Sequence, residues 1–387
     1  MPYDFIPDRK QYRRFSYSAF REPLLETFGS VSELKARGDR PLQMTFEEQL
    51  DALIYFHLEE HTSGRHLIQT LKEEKFAKEN IAPADGIRKS SFFEAINSRG
   101  LEQMLEVLTL LQAKAGKLLP KEFQNLGDLV LIDGTLIDAT LSMKWAEYRS
   151  GAKKAKIHFG FNLNQSIPGK IFLTNGKADE RPYVDKILEK GQTGVMDRYY
   201  QRHKNFDEWQ ESEKHFVCRI RDQTWKKVVR KNNIKQGSIV FYDAIVILGA
   251  LKKNRTEKEV RVIGYRVEGK TYWVATDRHD LSAEDVANAY KLRWNIEVFF
   301  GWWKRHLKVY HLIARSRYGL IMQILAGLIT YILLAIYCHK EFGEKVNIER
   351  VRELRNNIRN EAMMPEDDYP EPDLDNVVPQ GKSYAKT

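Results

Sequence analysis

The sequence is poor in cysteine: Cys218 and Cys338 are the two cysteines among 387 residues. Such a pair provides neither a disulfide framework nor a cysteine-based zinc site. A reducing, cytosolic compartment is therefore expected. The first residues, which include Asp4, Asp8 and Arg9, also lack the apolar core of a signal peptide.

Long apolar runs are scarce as well. The one candidate membrane span extends from Leu320 to Cys338, with Gln323 and Thr330 as its clearly polar interruptions. We expect a helix buried in protein instead, because a single late span after a charged, tryptophan-rich helix has no topological purpose. A phosphate-binding P-loop is also missing, since Gly381-Lys-Ser383 lacks the upstream glycine. ATP binding is therefore not implied.

Basic residues exceed acidic ones by 62 to 53, which gives a net charge of +9. An excess of this size is compatible with nucleic-acid binding but does not establish it. The segment from Pro365 to Asp375 is strongly acidic, so the rest of the chain is more basic than the total suggests. That segment, rich in Pro, Asp and Glu, is expected to be disordered. The length allows two or three domains.

Residues 1–122 are predicted to form a helical N-terminal DNA-binding domain. Thr45-Phe-Glu-Glu48 has the form of a capping box and precedes apolar residues at helical spacing. Ser91-Phe-Phe-Glu94 is a second such box. Arg88 and Lys89 lie where the helix of this second box would begin, and in a helix-turn-helix they would face DNA phosphates. The alternative is that these helices form a packing or dimerisation module. Further basic residues of this region are Arg9, Lys10, Arg13, Arg14, Arg65 and Arg99.

The first of these helices carries His57-Leu-Glu-Glu60-His61, which matches the His-x-x-Glu-His pattern of some zinc peptidases. Two histidines one helical turn apart can chelate zinc, but a third ligand is needed and nothing distinctive supplies one. We therefore favour exposed polar residues on an amphipathic helix over a metallopeptidase site.

From residue 128 the pattern changes to short strands, separated by a basic segment, residues 150–156, that is expected to be a loop. The predicted elements are strands at 129–133, 135–140, 158–163 and 170–174, a helix at 183–189 and a strand at 194–197. Successive strands followed by a helix, a strand and a helix indicate an α/β fold with the ribonuclease-H-like layout. Further strands are predicted at 216–221, 237–246, 260–267 and 271–276, and a charged helix at 347–359.

Two of the strand-like runs end in an aspartate, Asp133 and Asp197. An acid at the end of a buried strand lies at the rim of a sheet, where it can meet residues of a neighbouring helix. Downstream, a helical pattern opened by Ser282 places Tyr290, Arg293, Glu297 and Lys304 within an arc of about 60°, opposite an apolar face. The alternative is a solvated face with an ordinary Arg–Glu pair.

Asp133, Asp197 with Arg198, and the spacing Tyr290-x-x-Arg293-x-x-x-Glu297-x-x-x-x-x-x-Lys304 together resemble the DDE transposases of bacterial insertion sequences. The specific likeness is to insertion-sequence family 4, whose hallmark is this Tyr-Arg-Glu-Lys spacing. The likeness extends over roughly residues 127–340. It implies a ribonuclease-H-like catalytic domain at 123–340, with an inserted β-rich subdomain at about 210–276 and a C-terminal helix and tail at 341–387.

The resemblance also implies a chemistry. Asp133, Asp197 and Glu297 would bind two Mg²⁺ ions roughly 3.5–4 Å apart, with Mn²⁺ able to substitute, and catalyse phosphoryl transfer. Lys304 and Arg198 would contact phosphate. Tyr290 and Arg293 would hold DNA beside the scissile bond, with a displaced base as our specific hypothesis. In the β-rich segment, Trp225 is a candidate for base stacking, with packing as the alternative.

The expected function is cut-and-paste transposition by a cytoplasmic, nucleoid-associated bacterial enzyme. Its partners would be the terminal repeats of the element, target DNA and a second copy of the chain in the DNA complex, with no membrane. Two alternatives remain open at this point. One is a catalytically silent DNA-binding repressor derived from a transposase; the other is a metal-dependent nuclease that does not join strands.

Overall fold

The described part of the chain in this computed structural model comprises residues 16–35, 42–250 and 254–363. It folds into an α/β molecule with one large mixed sheet, which confirms the predicted class. The acidic segment from Pro365 to Asp375 and its expected disorder lie outside the described residues. So do the basic residues Arg9, Lys10, Arg13 and Arg14.

The N-terminal region is helical, as its capping signals predict. Its helices are α1 (Ser16–Phe28), α2 (Phe46–Leu58), α3 (Gly64–Glu73), α4 (Lys75–Asn80), α5 (Lys89–Ser98) and α6 (Leu101–Leu118). The first capping box is confirmed: Glu48 N donates to Thr45 Oγ1, and Thr45 N donates to Glu48 Oε2 at 2.8 Å. The second predicted capping box, Ser91 to Glu94, is wrong. Helix α5 begins at Lys89, and the Ser91 hydroxyl donates to Gln43 instead.

The sheet begins with the series that the sequence predicts. Strands β1 (Leu129–Ala139), β2 (Lys153–Asn162) and β3 (Ile167–Asn175) pair antiparallel, and β4 (Thr193–Met196) and β5 (His215–Arg219) follow in parallel. Helix α7 (Arg181–Ile187) lies between β3 and β4, and α8 (His203–Glu211) between β4 and β5. Two predictions are corrected. The strands predicted at 129–133 and 135–140 are one strand. Its C-terminal part pairs with residues 153–156, which belong to the segment 150–156 predicted as a loop.

The remaining strands extend the same sheet. They are β6 (Lys226–Lys231), β7 (Val240–Leu248), β8 (Val260–Val267) and β9 (Lys270–Thr276), and the full order is β3-β2-β1-β4-β5-β9-β8-β7-β6. The β-rich segment is thus joined to the first five strands through the β5–β9 pair. The sequence pattern did not predict strand β6, because five of its six residues are exposed and no apolar face marks it. The proposed domain boundaries stay a prediction.

Alternate residues of β1 point to opposite faces of the sheet. Leu129 and Leu131 belong to a hydrophobic cluster that includes α9 (Ala283–Lys291) and α10 (Trp294–His306). Val130 and Ile132 belong to a second cluster, which includes residues of α7 and α8. The sheet is therefore covered on both faces, and each face of β1 meets a different set of helices.

Helix α11 (Arg317–Phe342) is the long apolar segment of the sequence, and α12 (Ile348–Met363) follows it. By length and composition α11 could cross a membrane, yet 89% of its most apolar 18-residue window is buried inside the protein. It packs against α1, α2, α5, α6 and β3. The prediction of a buried core helix is confirmed.

The two histidines of the zinc-peptidase-like pattern are buried, so the expectation that they are exposed is wrong. His57 has no exposed surface, and its ring nitrogens lie 2.6 Å from Leu307 O and 3.1 Å from Gln323 O. His61 Nε2 lies 3.2 Å from Thr70 Oγ1. The packing of α2 against α11 gives His57 its partner Gln323 O, whereas His61 follows α2 and is paired with Thr70 of α3.

Candidate active site between β1, β4 and α10

The two predicted aspartates lie side by side. Strands β1 and β4 run parallel with Leu131 opposite Val195, so two further residues bring Asp133 beside Asp197 where β4 ends. Asp133 Oδ1 accepts a hydrogen bond of 2.8 Å from Gly134 N. Asp197 Oδ1 accepts one of 2.7 Å from Tyr199 N and so caps a short turn at Arg198–Tyr200. The two aspartates are neighbours as the pattern predicts, but Asp133 lies within β1, which continues to Ala139, and only Asp197 follows the end of its strand.

The helix predicted to carry the Tyr-Arg-Glu-Lys spacing is two helices. Helix α9 ends at Lys291 and α10 begins at Trp294. Ser282 caps α9 as predicted, with a 3.0 Å hydrogen bond from Asp285 N to Ser282 Oγ.

At the junction the hydrogen bonds shorten to a three-residue spacing, and Asn295 Nδ2 donates to Leu292 O at 2.7 Å. A uniform 100° per residue does not continue across this break, so the calculation of a common 60° arc does not apply to Tyr290, although its hydroxyl still meets Arg293.

Arg293 lies between two of the acids. Its Nη2 is 2.6 Å from Glu297 Oε1 and its Nη1 is 3.7 Å from Asp133 Oδ2. Farther along α10, Lys304 Nζ donates to Leu136 O at 2.8 Å and fixes this helix to β1. Within the described residues, no three His, Cys, Asp or Glu side chains stand close enough together to hold a metal ion. Glu297 and Asp133 are instead connected through the guanidinium of Arg293.

Tyr290 is buried, with 6% of its surface exposed, so it does not lie on the exposed polar face that the helical pattern predicts. Its ring centroid lies 6.3 Å from that of Tyr272. Burial raises the pKa of Tyr290, while Arg293 and Arg219 lower it. The hydroxyl thus belongs to the same charged group as Arg293, and the ring is enclosed by protein.

Asp133 has an unusual electrostatic environment. Burial raises the pKa of Asp133 to about 7; the Gly134 N–H and Arg293 oppose this rise, and Glu180 and Asp197 add to it. Two neighbouring carboxylates therefore act on Asp133 at this end of β4. A bound cation would relieve both the burial and the repulsion.

Glu180 is the acidic residue of this site that sequence reasoning missed. It precedes α7, and its side chain is 17% exposed. Its carboxylate accepts hydrogen bonds from Tyr200 Oη at 2.8 Å and pairs with Lys156 Nζ at 3.0 Å. No apolar run or motif marks Glu180. The one sequence feature that could have indicated a neighbouring side chain is Gly134, because a glycine directly after Asp133 leaves room for such a side chain.

The other predicted DNA-contacting residues are exposed. Arg198 follows Asp197 directly, and Arg88 and Lys89 lie at the start of α5. Trp225, which precedes β6, is 50% exposed, too open for a packing anchor. These positions are free to meet a ligand, and their role stays a prediction.

Comparison with known proteins is consistent with this geometry. The family model described as the transposase DDE domain matches residues 124–333, more than half of the chain. The chain belongs to the transposase DDE domain family. The matched segment includes Asp133, Asp197 and Glu297, so the acids lie in the part that defines a DDE-family chain.

Three transposases have similar sequences. A probable transposase for insertion sequence element IS5377 of Geobacillus stearothermophilus is 27% identical over 237 residues, or 60% of this chain and 62% of the relative. A putative transposase for insertion sequence element IS4SA of Synechocystis sp. is 26% identical over 302 residues, 74% of this chain and 82% of the relative. Putative transposase y4zB of Sinorhizobium fredii is 28% identical over 214 residues, 54% of this chain and 60% of the relative.

The match thus covers less than two thirds of the length of two of these relatives. Among solved structures, the cryo-EM structure of a piggyBac transposase synaptic complex with hairpin DNA aligns with a TM-score of 0.44 and 11% identity. That alignment covers 92% of this chain and 78% of the other.

The raised pKa of Asp133 predicts a pH-dependent effect of Asp133→Asn in this DDE-family chain. Between the ordinary value of 3.8 and the folded value of about 7, the folded protein retains a proton that the unfolded chain has released. The stability of the metal-free protein linked to Asp133 is therefore greatest below pH 3.8 and declines as the pH rises to about 7. Asparagine does not titrate, so Asp133→Asn should stabilise the protein more at pH 8 than at pH 5.

Thermal melting in the presence of a chelator at both pH values measures this difference. Asp138→Asn is the matched control, because Asp138 lies on the same strand with 81% of its side chain exposed. An equal effect of Asp133→Asn at the two pH values would contradict the prediction.

Proposed function

We propose that this chain is the transposase of a family 4 insertion sequence, which cuts the ends of its element and joins them to target DNA. The observation that supports the proposal most is the pairing of Asp133 with Asp197 where β4 ends, with Glu297 linked to Asp133 through Arg293. The Tyr-Arg-Glu-Lys spacing adds the family 4 assignment. The layout of β1 to β5 supports a ribonuclease-H-like core, with β6 to β9 as its β-rich extension.

In this proposal Asp133, Asp197 and Glu297 hold divalent cations, Mg²⁺ or Mn²⁺. The chemical type of the donors fits, because these ions prefer carboxylate oxygens and the burial of Asp133 beside other acids favours a positive charge. Glu297 becomes available when Arg293 exchanges its carboxylate for a DNA phosphate, a strong bidentate partner. When bound, two cations supply an activated attacking oxygen, from water or a 3′-hydroxyl, and a stabilised leaving oxygen.

The remaining charged residues of the site bind and orient DNA. Arg198, exposed beside Asp197, contacts phosphate, and Lys304 contacts phosphate while it fixes α10 to β1. The buried position of Tyr290 favours a role in holding Arg293 within the fold over the stacking of a displaced base. Exposed Trp225 is better placed to meet a base.

Arg88 and Lys89 are the proposed contacts of the N-terminal helices with the element end. The strongly basic strand β6 offers further phosphate contacts next to Trp225. Two copies of the chain, one at each element end, would act together in the cytoplasm.

The deciding experiment incubates the purified full-length chain with Mg²⁺ and labelled ends of its own flanking element. The proposal predicts both cleaved ends and products joined to a target plasmid. Cleavage without joined product would identify the metal-dependent nuclease. A specific gel shift without cleavage would identify the silent repressor.

A further inference from the structure

The region behind Asp133 contains a small network formed by Glu180, Lys156 and Tyr200. Gly134, Lys156 and Glu180 meet on the α7 face of the sheet, because β1 pairs Gly134 with His158 and Leu136 with Lys156. Lys156 Nζ also donates to Ala178 O at 2.8 Å, two residues before Glu180. The side chains of Lys156 and Glu180 are 12% and 17% exposed. This ion pair is thus largely enclosed and fixed at both ends.

The network touches both elements that carry the aspartates. A Cβ atom at position 134 would lie 2.5 Å from the Glu180 carboxyl group, so this carboxylate rests directly on β1 beside Asp133. The Oε2 atom of Glu180 accepts the hydrogen bond from Tyr200, which is 1% exposed and ends the turn that Asp197 caps. One carboxylate therefore connects the strand of Asp133 to the turn of Asp197.

From this arrangement we infer that Glu180 is a positioning residue that sets the spacing of Asp133 and Asp197 for the divalent cation. The inference rests on the proposed function. Glu180 acts through its contacts with Gly134 and Tyr200, since its carboxylate approaches β1 from the face opposite Arg293 and α10. Gly134 has a corresponding role: the missing Cβ is what admits the carboxylate.

The test measures Mn²⁺ binding to the full-length chain by titration calorimetry. Glu180→Ala should weaken Mn²⁺ binding by about tenfold or more, the usual effect of losing a residue that orients metal ligands. Gly134→Ala should weaken it similarly, because the new methyl group displaces the carboxylate. The Glu180→Ala/Gly134→Ala double variant should bind no more weakly than the weaker single variant, since both changes remove the same contact.

Two further variants complete the design. Glu180→Gln retains an oxygen for Tyr200 and should recover part of the affinity. Glu189→Ala removes a glutamate from an exposed pair with Lys170 and should bind Mn²⁺ like the wild type. Melting temperatures give the folded fraction of each variant, so that a loss of folding is not counted as a loss of affinity.

Wild-type affinity in Glu180→Ala would overturn the inference and leave the proposed function standing. Losses that multiply in the double variant would also overturn it, because Glu180 and Gly134 would then act separately. If the wild-type chain binds no Mn²⁺ at millimolar concentration, the proposed cation chemistry and the inference both fail.

Discussion

Replacing Asp133 or Asp197 by asparagine, or Glu297 by glutamine, is expected to lower cleavage of the element ends by at least about 10³-fold. The affinity for terminal DNA should change by less than about threefold. Loss of a ligand from a catalytic cation removes several kcal/mol of transition-state stabilisation, and each 1.4 kcal/mol is a factor of ten. DNA affinity depends instead on cationic contacts with phosphate, which these changes leave in place.

The charge balance of the site strengthens this expectation. Arg293 pairs with Glu297 at 2.6 Å and lies 3.7 Å from Asp133, so neutralising either acid leaves more positive charge facing the DNA. Binding should therefore be maintained or slightly tightened while cleavage is lost. A loss of cleavage without a loss of DNA binding distinguishes a catalytic acid from one that only supports the fold.

Cleavage of labelled ends in Mg²⁺ and a gel-shift titration in Ca²⁺ measure the two quantities. Asp138→Asn is the control on β1, because this exposed aspartate pairs only at the surface with Lys154. Full cleavage by any one of the three variants would remove that acid from the catalytic set. Parallel loss of binding and cleavage would point to misfolding.

The second large effect concerns stability: Arg261→Met should lower the free energy of unfolding by about 3–5 kcal/mol. Arg261 and Asp243 form a buried pair on β8 and β7, with side-chain exposures of 8% and 3%. Arg261 Nε and Nη2 donate to the two Asp243 oxygens at 3.0 and 2.8 Å. Removal of the guanidinium leaves a buried carboxylate with much less compensation.

The same guanidinium fixes the start of α9. Arg261 Nη1 donates to Leu281 O at 2.6 Å, directly before the Ser282 cap. The strands of the β-rich segment are thereby tied to the helix that leads to Arg293. We therefore expect Arg261→Met to reduce cleavage as well, even at temperatures where the protein remains folded.

Urea unfolding followed by circular dichroism measures the stability change. The Arg261→Met/Asp243→Leu double variant should recover most of the loss, because paired replacement of both charges by apolar side chains leaves no uncompensated ion. Lys190→Met, in an exposed pair with Glu213, should cost less than about 1 kcal/mol. A loss below about 1 kcal/mol for Arg261→Met itself would mean that water reaches the pair.

The sequence predicts the local part of this site well. Asp133 and Asp197 each end an apolar run, and runs of that kind form adjacent strands, so their meeting follows from sheet geometry. Glu297 and Arg293 are four residues apart, and their ion pair needs only local helical structure. The ion pair is local in sequence, and the two aspartates, although 64 residues apart, are each marked by the local apolar run that precedes them.

What the sequence does not predict depends on contacts between distant segments. Glu180 meets Lys156 and Tyr200 only after the sheet has formed, and no local pattern marks it. Thr45 and Ser91 begin the same capping pattern, yet Ser91 binds Gln43 from another segment instead. The break between α9 and α10 is a local feature, where Asn295 Nδ2 donates to Leu292 O, and apolar periodicity alone does not reveal it.

The position of α11 in the chain has a consequence for synthesis on the ribosome. Helices α1, α2, α5 and α6 emerge first, but α11, which packs against them, begins only at Arg317. Phe20, for example, packs against Tyr337, and Leu101 N donates to Tyr318 Oη. Until then their apolar surfaces remain open to proteases and to aggregation. A product truncated before α11 would be degraded, so prematurely terminated copies of the gene should yield no stable DNA-binding competitor for the intact protein.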